Sequence, residues 1–135
     1  MKTQGIDHIA IAVEDIEASI ALFEKTLGLK VTHREEVGGF KVKVATLATG
    51  GTDLELVQGT IPESPIAKFV TERGPGIHHI AIRVDDLEAA LAALKAQGVQ
   101  MIDHAPRPGK QGSRVAFIHP KSTGRVMFEL VENKK

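Results

Sequence analysis

Two copies of one motif decide the fold of this chain. Residues 5–18 read GIDHIAIAVEDIEA and residues 76–89 read GIHHIAIRVDDLEA, so ten of the fourteen positions are identical without a gap. Each copy runs from an alternating apolar segment through an acidic turn into a pattern of helical period. Three strand-like segments then follow in each half. The sequence predicts an α+β chain of two tandem βαβββ modules, at about residues 4–58 and 75–132.

The ends of the predicted elements carry local signals. Asp15 is a candidate N-cap of the first helix and Gly28 follows its end, while Asp85 or Asp86 caps the second helix and Gly98 stops it. Later strands are predicted at about residues 29–36, 40–48 and 52–58, and again at 99–104, 113–119 and 125–132. The linker, residues 59–74, contains a short helix with Ser64 as N-cap and Pro65 in its first turn.

Length and composition limit the classes of protein that this chain can represent. With 135 residues, of which 42% are hydrophobic, the chain supports one domain with a shared core, spanning residues 1–135. Its 17 basic and 17 acidic residues cancel, which argues against a nucleic acid or a membrane surface as partner. We find neither a signal peptide nor an apolar span and expect a cytoplasmic protein. Since the chain has no cysteine, a metal must be bound by histidine and carboxylate.

Strand parity separates the two adjacent histidines of the second copy. On the first strand of each half, large apolar residues alternate with a second set that contains His8 in one copy and His79 in the other. Because the large apolar face must meet the helix, His8 and His79 are predicted to point away from it, over small residues that suit the approach of a substrate. His78 falls on the helix side or at the edge of the strand. His33, His104 and His119 have no matched partner, and we interpret them as surface or turn residues.

A matched glutamate follows in the last strand of each half. The segments TDLELV and VMFELV place Glu55 and Glu129 between two large apolar neighbours. Such a residue either faces solvent or points into a polar cavity where its charge is compensated. A duplicated structural pair without function is the alternative interpretation. If both sheets curl around one cavity, then His8, Glu55, His79 and Glu129 converge there, and two imidazoles with two carboxylates suit a divalent transition metal ion.

The same segments resemble a known family. The paired HIAI strand-helix units with a late ELV strand resemble the vicinal oxygen chelate superfamily, in which two βαβββ modules form a curled mixed sheet around a metal cavity. The segments SPIAKF, GSRVAFIHPKSTG and VMFELVE are similar to the methylmalonyl-CoA epimerase family, over nearly the whole chain. The resemblance implies metal ligation by His8, Glu55, His79 and Glu129, one Co²⁺ per site, with Mn²⁺, Ni²⁺ or Zn²⁺ as alternatives, and a homodimer.

The implied reaction is the epimerisation of (2R)- and (2S)-methylmalonyl-CoA by proton transfer at one carbon, through an enolate that the metal stabilises. It needs two acid–base groups, and Glu129 is the first candidate, with Glu55 as its symmetric counterpart. Some members of the family carry a second catalytic glutamate where this chain has Val44. Glu35 and Glu36, in the preceding segment, lie too far back to be assigned this role.

A basic segment is the candidate anchor for the phosphates of the coenzyme. Residues 104–128 contain no acidic residue, and their basic side chains could answer phosphate charge or form a solvated rim. They are Arg107, Lys110, Arg114, Lys121 and Arg125. Three other functions remain open at this point: a glyoxalase I-like isomerase, another metal-dependent enzyme of the superfamily such as a dioxygenase, and a non-catalytic module that binds a small molecule.

Overall fold

Two βαβββ repeats make up the chain, with one further helix between them. The computed structural model describes residues 1–134, and its helices are α1 Ile16–Leu27, α2 Pro65–Arg73 and α3 Leu87–Ala96. Its strands are β1 Thr3–Ala12, β2 Val31–Val37, β3 Val42–Leu47, β4 Asp53–Gly59, β5 Gly76–Val84, β6 Arg107–Pro108, β7 Arg114–Ile118 and β8 Phe128–Glu132. This order confirms the predicted α+β class. In the described residues no helix is long and apolar enough to cross a membrane.

The chain forms two compact units, and β1 and β5 each contribute to both. The N-terminal unit is residues 8–78, and the C-terminal unit is residues 1–7 together with the chain from His79 onward. The boundary therefore lies inside β1, directly before His8, and inside β5, between His78 and His79. The division into modules at 4–58 and 75–132 stays a prediction.

In the N-terminal unit the strand order is β2-β3-β4-β1, with β1 parallel to β4 and the other neighbours antiparallel. One face of this sheet packs on α1, through Val13, Ile16, Ile20, Leu47 and Leu56. The other face carries Ala10, Ala12, Val42, Val44 and Val57, which pack with Ile66 of α2. The two faces separate as strand parity predicts, and α2 covers the far end of the face to which His8 belongs.

In the C-terminal unit the strand order is β5-β8-β7-β6, with β5 parallel to β8. Its core lies between the sheet and α3 and is built from Val84, Leu87, Leu91, Leu94, Met101, Ile118 and Leu130. Both units therefore use the same scheme, in which a helix after the first strand covers one face and leaves the histidine-bearing face available for other contacts.

A side chain at the end of the last strand ties each sheet to its helix. Asp15 caps α1 by accepting hydrogen bonds from two backbone N–H groups, at 3.0 and 3.2 Å, and the Ile16 N–H donates to Gln58 Oε1 at 2.9 Å. At the matched place Asp86 caps α3, and the Leu87 N–H donates to Glu132 Oε2 at 2.8 Å. Gln58 and Glu132 each stand three residues after the matched glutamate, so helix start and glutamate strand are fixed together.

The strand predicted at residues 99–104 is wrong. The only pairing in that segment is an isolated bridge between Met101 and Ile118, and the edge strand is the two-residue β6. The N–H groups of Ile102 and Asp103 both donate to the Phe117 carbonyl, at 3.0 and 3.2 Å. The Asp103 carboxylate accepts from the Phe117 N–H at 2.9 Å. One carbonyl and one side chain replace a regular ladder, so the chain turns away after Met101.

Candidate active site

The first buried polar pair lies on β1 and β4 of the N-terminal unit. Ala10 is the register partner of Glu55, so His8, Ala10 and Glu55 share one face of the sheet. His8 Nδ1 is 3.4 Å from Glu55 Oε2, and the side chains are 4% and 8% exposed. In the next strand Thr46 stands directly opposite Glu55 and is also buried.

The second pair repeats this arrangement in the C-terminal unit. Ala81 is the register partner of Glu129, and His79 Nε2 is 3.5 Å from Glu129 Oε1. Both side chains are 7% exposed. Here Phe117 stands opposite Glu129, and its ring meets the His79 ring edge to face with centroids 5.0 Å apart. The aromatic contact fixes the plane of the imidazole.

The donor set of the two pairs fits a divalent metal ion. Two donors that ligate one ion at about 2.1 Å lie about 3 to 3.5 Å apart, and both pairs have such a separation, longer than an ordinary hydrogen bond. A carboxylate buried to this degree needs a compensating positive charge. By burial and donor type, His8, His79 and Glu129 are candidate metal ligands. The ligand roles of these residues and of Glu55 stay predictions.

The remaining histidines occupy distinct settings. The ring of His78 meets Phe69 of α2 edge to face at 5.0 Å, so it packs on the linker helix. His119 Nδ1 accepts a hydrogen bond from the Lys121 N–H in a short turn, and His104 is exposed. His33 is not a simple surface residue, since its Nε2 lies 2.9 Å from Glu35 Oε1.

The basic residues proposed as coenzyme anchors differ in their contacts. Arg114 pairs with Glu132 at 3.0 Å and also with Glu88. The hydrogen bond to Glu88 and that to Glu132 raise the pKa of Arg114. Its guanidinium is thus already occupied by two carboxylates. Arg107 pairs with Asp103 at 3.4 Å, and Lys121 is exposed. The anchoring role of Arg107, Lys110, Arg114 and Lys121 stays a prediction.

Strict alternation of side chains along β2 assigns His33 and Glu35 to the wrong face of the sheet. Val31 pairs with Leu47, whereas His33 pairs with Thr46, so a bulge inserts one residue between them. Val31 therefore packs on the α1 side, while His33 and Glu35 lie on the face of Thr46 and Val44. The only signal in the sequence is the run HREE itself, in a strand that carries few large apolar residues.

Comparison with known proteins agrees with this architecture. The family model described as Glyoxalase/Bleomycin resistance protein/Dioxygenase superfamily matches residues 7–117. The uncharacterized protein YqjC of Bacillus subtilis is 42% identical over 129 residues, which are 96% of this chain and 92% of that protein. The ethylmalonyl-CoA/methylmalonyl-CoA epimerase of Cereibacter sphaeroides is 37% identical over 128 residues, 93% of this chain and 95% of the relative.

A solved structure gives the same result. The crystal structure of methylmalonyl-CoA epimerase from Mycobacterium tuberculosis matches with a TM-score of 0.95 and 38% identity, covering 98% of this chain and 90% of that one. The extent of the match, the identity and the fold agree over nearly the full length. The chain therefore belongs to the methylmalonyl-CoA epimerase family of the glyoxalase, bleomycin resistance protein and dioxygenase superfamily, and it is an isomerase of the epimerase class.

Proposed function

We propose that this protein interconverts (2R)- and (2S)-methylmalonyl-CoA by moving a proton at C2. The observation that carries the proposal is the matched burial of a histidine and a glutamate in each unit, at 3.4 and 3.5 Å. A purely structural duplicate would place costly buried carboxylates twice without a compensating charge. Relatives at 37 and 38% identity are named as epimerases of this kind of substrate.

His8, Glu55, His79 and Glu129 would hold one divalent ion, for which Co²⁺ is our first choice. Imidazole and carboxylate ligands without a thiolate suit Co²⁺, Mn²⁺, Ni²⁺ or Zn²⁺. When bound, such an ion supplies Lewis-acid stabilisation of negative charge on the substrate oxygens. The chain itself contributes four ligands from four strands, of which the β8 strand and its glutamate are also fixed to α3 through Glu132.

Glu129 is the acid–base group that we propose for one face of C2, with Glu55 as the matched candidate. A carboxylate takes the C2 proton while the electron pair of the broken C–H bond moves into the thioester carbonyl. Return of a proton to the opposite face of the planar carbon gives the other epimer. The burial of Glu129, at 7% side-chain exposure, excludes bulk water from competing with this transfer.

Basic side chains of the C-terminal unit are proposed to bind the coenzyme phosphates. Arg107 and Lys110 are half-buried and Lys121 is exposed, so all three offer donors at the protein surface. Arg114 is the weakest candidate of the four because Glu88 and Glu132 already bind it. We also propose a cytoplasmic homodimer, which light scattering of the purified protein tests.

Isotope exchange tests the reaction directly. The purified protein, loaded with cobalt, is incubated with (2R)-methylmalonyl-CoA in deuterated water. We expect deuterium at C2 together with formation of the (2S) epimer. Proton NMR measures the loss of the C2 proton signal, and chromatography separates the two diastereomers. A chelator-treated sample is the matched control. An absence of deuterium at C2, with turnover of the hemithioacetal of methylglyoxal and glutathione, would overturn the proposal in favour of a glyoxalase.

A further inference from the structure

The bulge in β2 redirects two ionisable side chains. From Val37 back to His33 the strand pairs residue for residue with β3, and between His33 and Val31 the register shifts by one. Without that shift, His33 and Glu35 would share the face of Val31, which packs against the α1 core. Bulges of this kind are used beside active sites to re-aim a side chain.

Register then places Glu35 on the face that carries the first buried pair. Residues directly opposite each other in neighbouring strands share a face. Glu55 pairs with Thr46 and Thr46 with His33, while Val57 pairs with Val44 and Val44 with Glu35. Strands are about 4.8 Å apart, so β2 lies roughly 10 Å from β4 across the sheet. Thr46 and Val44 of β3 therefore lie between Glu35 of β2 and Glu55 of β4 on this face.

Glu35 differs from its neighbours on this face in being accessible. The side chain is 29% exposed, and that of its partner His33 is 29% exposed as well. Val44, Val42 and Val57 beside it are buried. The contact between His33 Nε2 and Glu35 Oε1, at 2.9 Å, orients the carboxylate and joins it to a second group that can exchange protons with solvent.

We propose that Glu35 is the second acid–base residue of the epimerisation and that His33 positions it. The inference rests on the proposed function. Where some members of the family carry a second catalytic glutamate, this chain has the apolar Val44 of β3. The proposal assigns the role of that glutamate to Glu35 of β2. Two carboxylates on opposite sides of C2 are what inversion at a single carbon requires, and Glu129 supplies the other.

The proton balance is closed. Glu35 takes the C2 proton of one epimer, the electron pair of that bond moves to the thioester carbonyl, and protonated Glu129 returns a proton to the other face. To reset the site, Glu129 takes up one proton from solvent after the product leaves, and Glu35 releases one proton to solvent through the His33 ring, so no net proton is consumed. In the reverse direction the two residues exchange roles, and no other reactant is needed.

Replacement of Glu35 by glutamine tests this assignment. Glu35→Gln and the matched control Glu36→Gln, an exposed neighbour paired with Lys43 on the opposite face, are each loaded with cobalt. Each pure epimer is incubated with each protein in deuterated water. We expect Glu35→Gln to lose at least about 100-fold in conversion of one epimer to the other. One epimer should still exchange C2 deuterium with retention, because Glu129 remains, and the other should become inert.

Other readouts separate catalysis from structure. Cobalt content and melting temperature of Glu35→Gln should match those of the wild type, whereas loss of cobalt would make Glu35 a metal ligand and overturn its acid–base role. His33→Gln should lower kcat with an unchanged KM and shift the acid limb of the pH profile. Unchanged epimerisation by Glu35→Gln, beside an active wild type, would overturn this inference alone. An inactive wild type would remove the proposed function as well.

Discussion

The two halves of the chain agree at the inner positions of the register row next to the buried glutamate, and they differ at the outer position of that row. In the N-terminal unit the register row next to that glutamate runs Val57, Val44, Glu35, and in the C-terminal unit the matched row runs Val131, Val115, Arg107. The two inner positions are buried valines in both. The outer position is a carboxylate beside His33 in one half and a guanidinium beside Asp103 in the other.

A second difference lies directly beside the buried glutamates. Thr46 stands opposite Glu55, whereas Phe117 stands opposite Glu129 and packs on His79. Duplication has thus preserved the His–Glu pairs and let their surroundings diverge. In our proposals, the outer carboxylate of the N-terminal unit serves proton transfer and the outer guanidinium of the C-terminal unit serves recognition of an anion.

The largest expected effect is on cobalt affinity, and it should differ between the two histidines of the second copy, His78 and His79. His79→Ala removes a proposed ligand, and we expect cobalt affinity to fall by more than about 100-fold, beyond what loss of an outer-shell partner causes. His78→Ala removes the edge contact with Phe69 and should keep the metal. Metal content after dialysis, measured by mass spectrometry, checks this. Equal cobalt content in the two variants would contradict the ligand assignment.

The next effect compares the two glutamates. Glu129→Gln should lower kcat by about 10²- to 10⁴-fold, the usual value of a positioned acid–base group. Glu55→Gln should cost much less, because the glutamine side chain keeps an oxygen that can serve as a ligand. Cobalt-loaded kcat and C2 exchange are measured for both. If Glu55→Gln were the more damaged variant, the proposed roles of the two glutamates would be reversed.

Strand periodicity and the internal repeat were sufficient to predict the histidine and glutamate faces, because both depend only on local alternation. The bulge that re-aims Glu35 was not predictable in this way, since it depends on how β2 pairs with β3. The segment 99–104 alternates like a strand, but the Asp103 side chain and the Phe117 carbonyl take its hydrogen bonds. Tertiary hydrogen bonding decided both cases, and a single sequence does not encode it visibly.

A smaller effect is expected at the edge position where the halves diverge. Arg107→Gln should raise KM for the acyl-CoA on the order of tenfold, about 1.4 kcal/mol, with little change in kcat. The matched control Lys95→Gln changes an exposed basic residue of α3 that lies outside the basic segment 104–128. Steady-state kinetics at low and high salt check the prediction, since a phosphate contact weakens with salt. A fall in kcat alone would argue for a structural role through Asp103.

The smallest effect concerns the bonds that tie each glutamate strand to its helix. Gln58→Ala and Glu132→Gln should each lower the free energy of unfolding by about 1 kcal/mol, as loss of a cap does.

Only the effect of Glu132→Gln on the free energy of unfolding should depend on pH. The Leu87 N–H, and after it Arg114, hold the pKa of Glu132 below its usual value of 4.5. A carboxyl with a lowered folded pKa stabilises the fold above its unfolded pKa, and this contribution is lost as pH falls through the folded pKa. Denaturant titrations from pH 7 down through the acid range should therefore show wild type and Glu132→Gln converging, while the gap between wild type and Gln58→Ala stays constant. A gap for Glu132→Gln that does not change with pH would mean that the lost stability does not depend on the charge of the carboxylate, and that the charge difference between the halves is not used for stability.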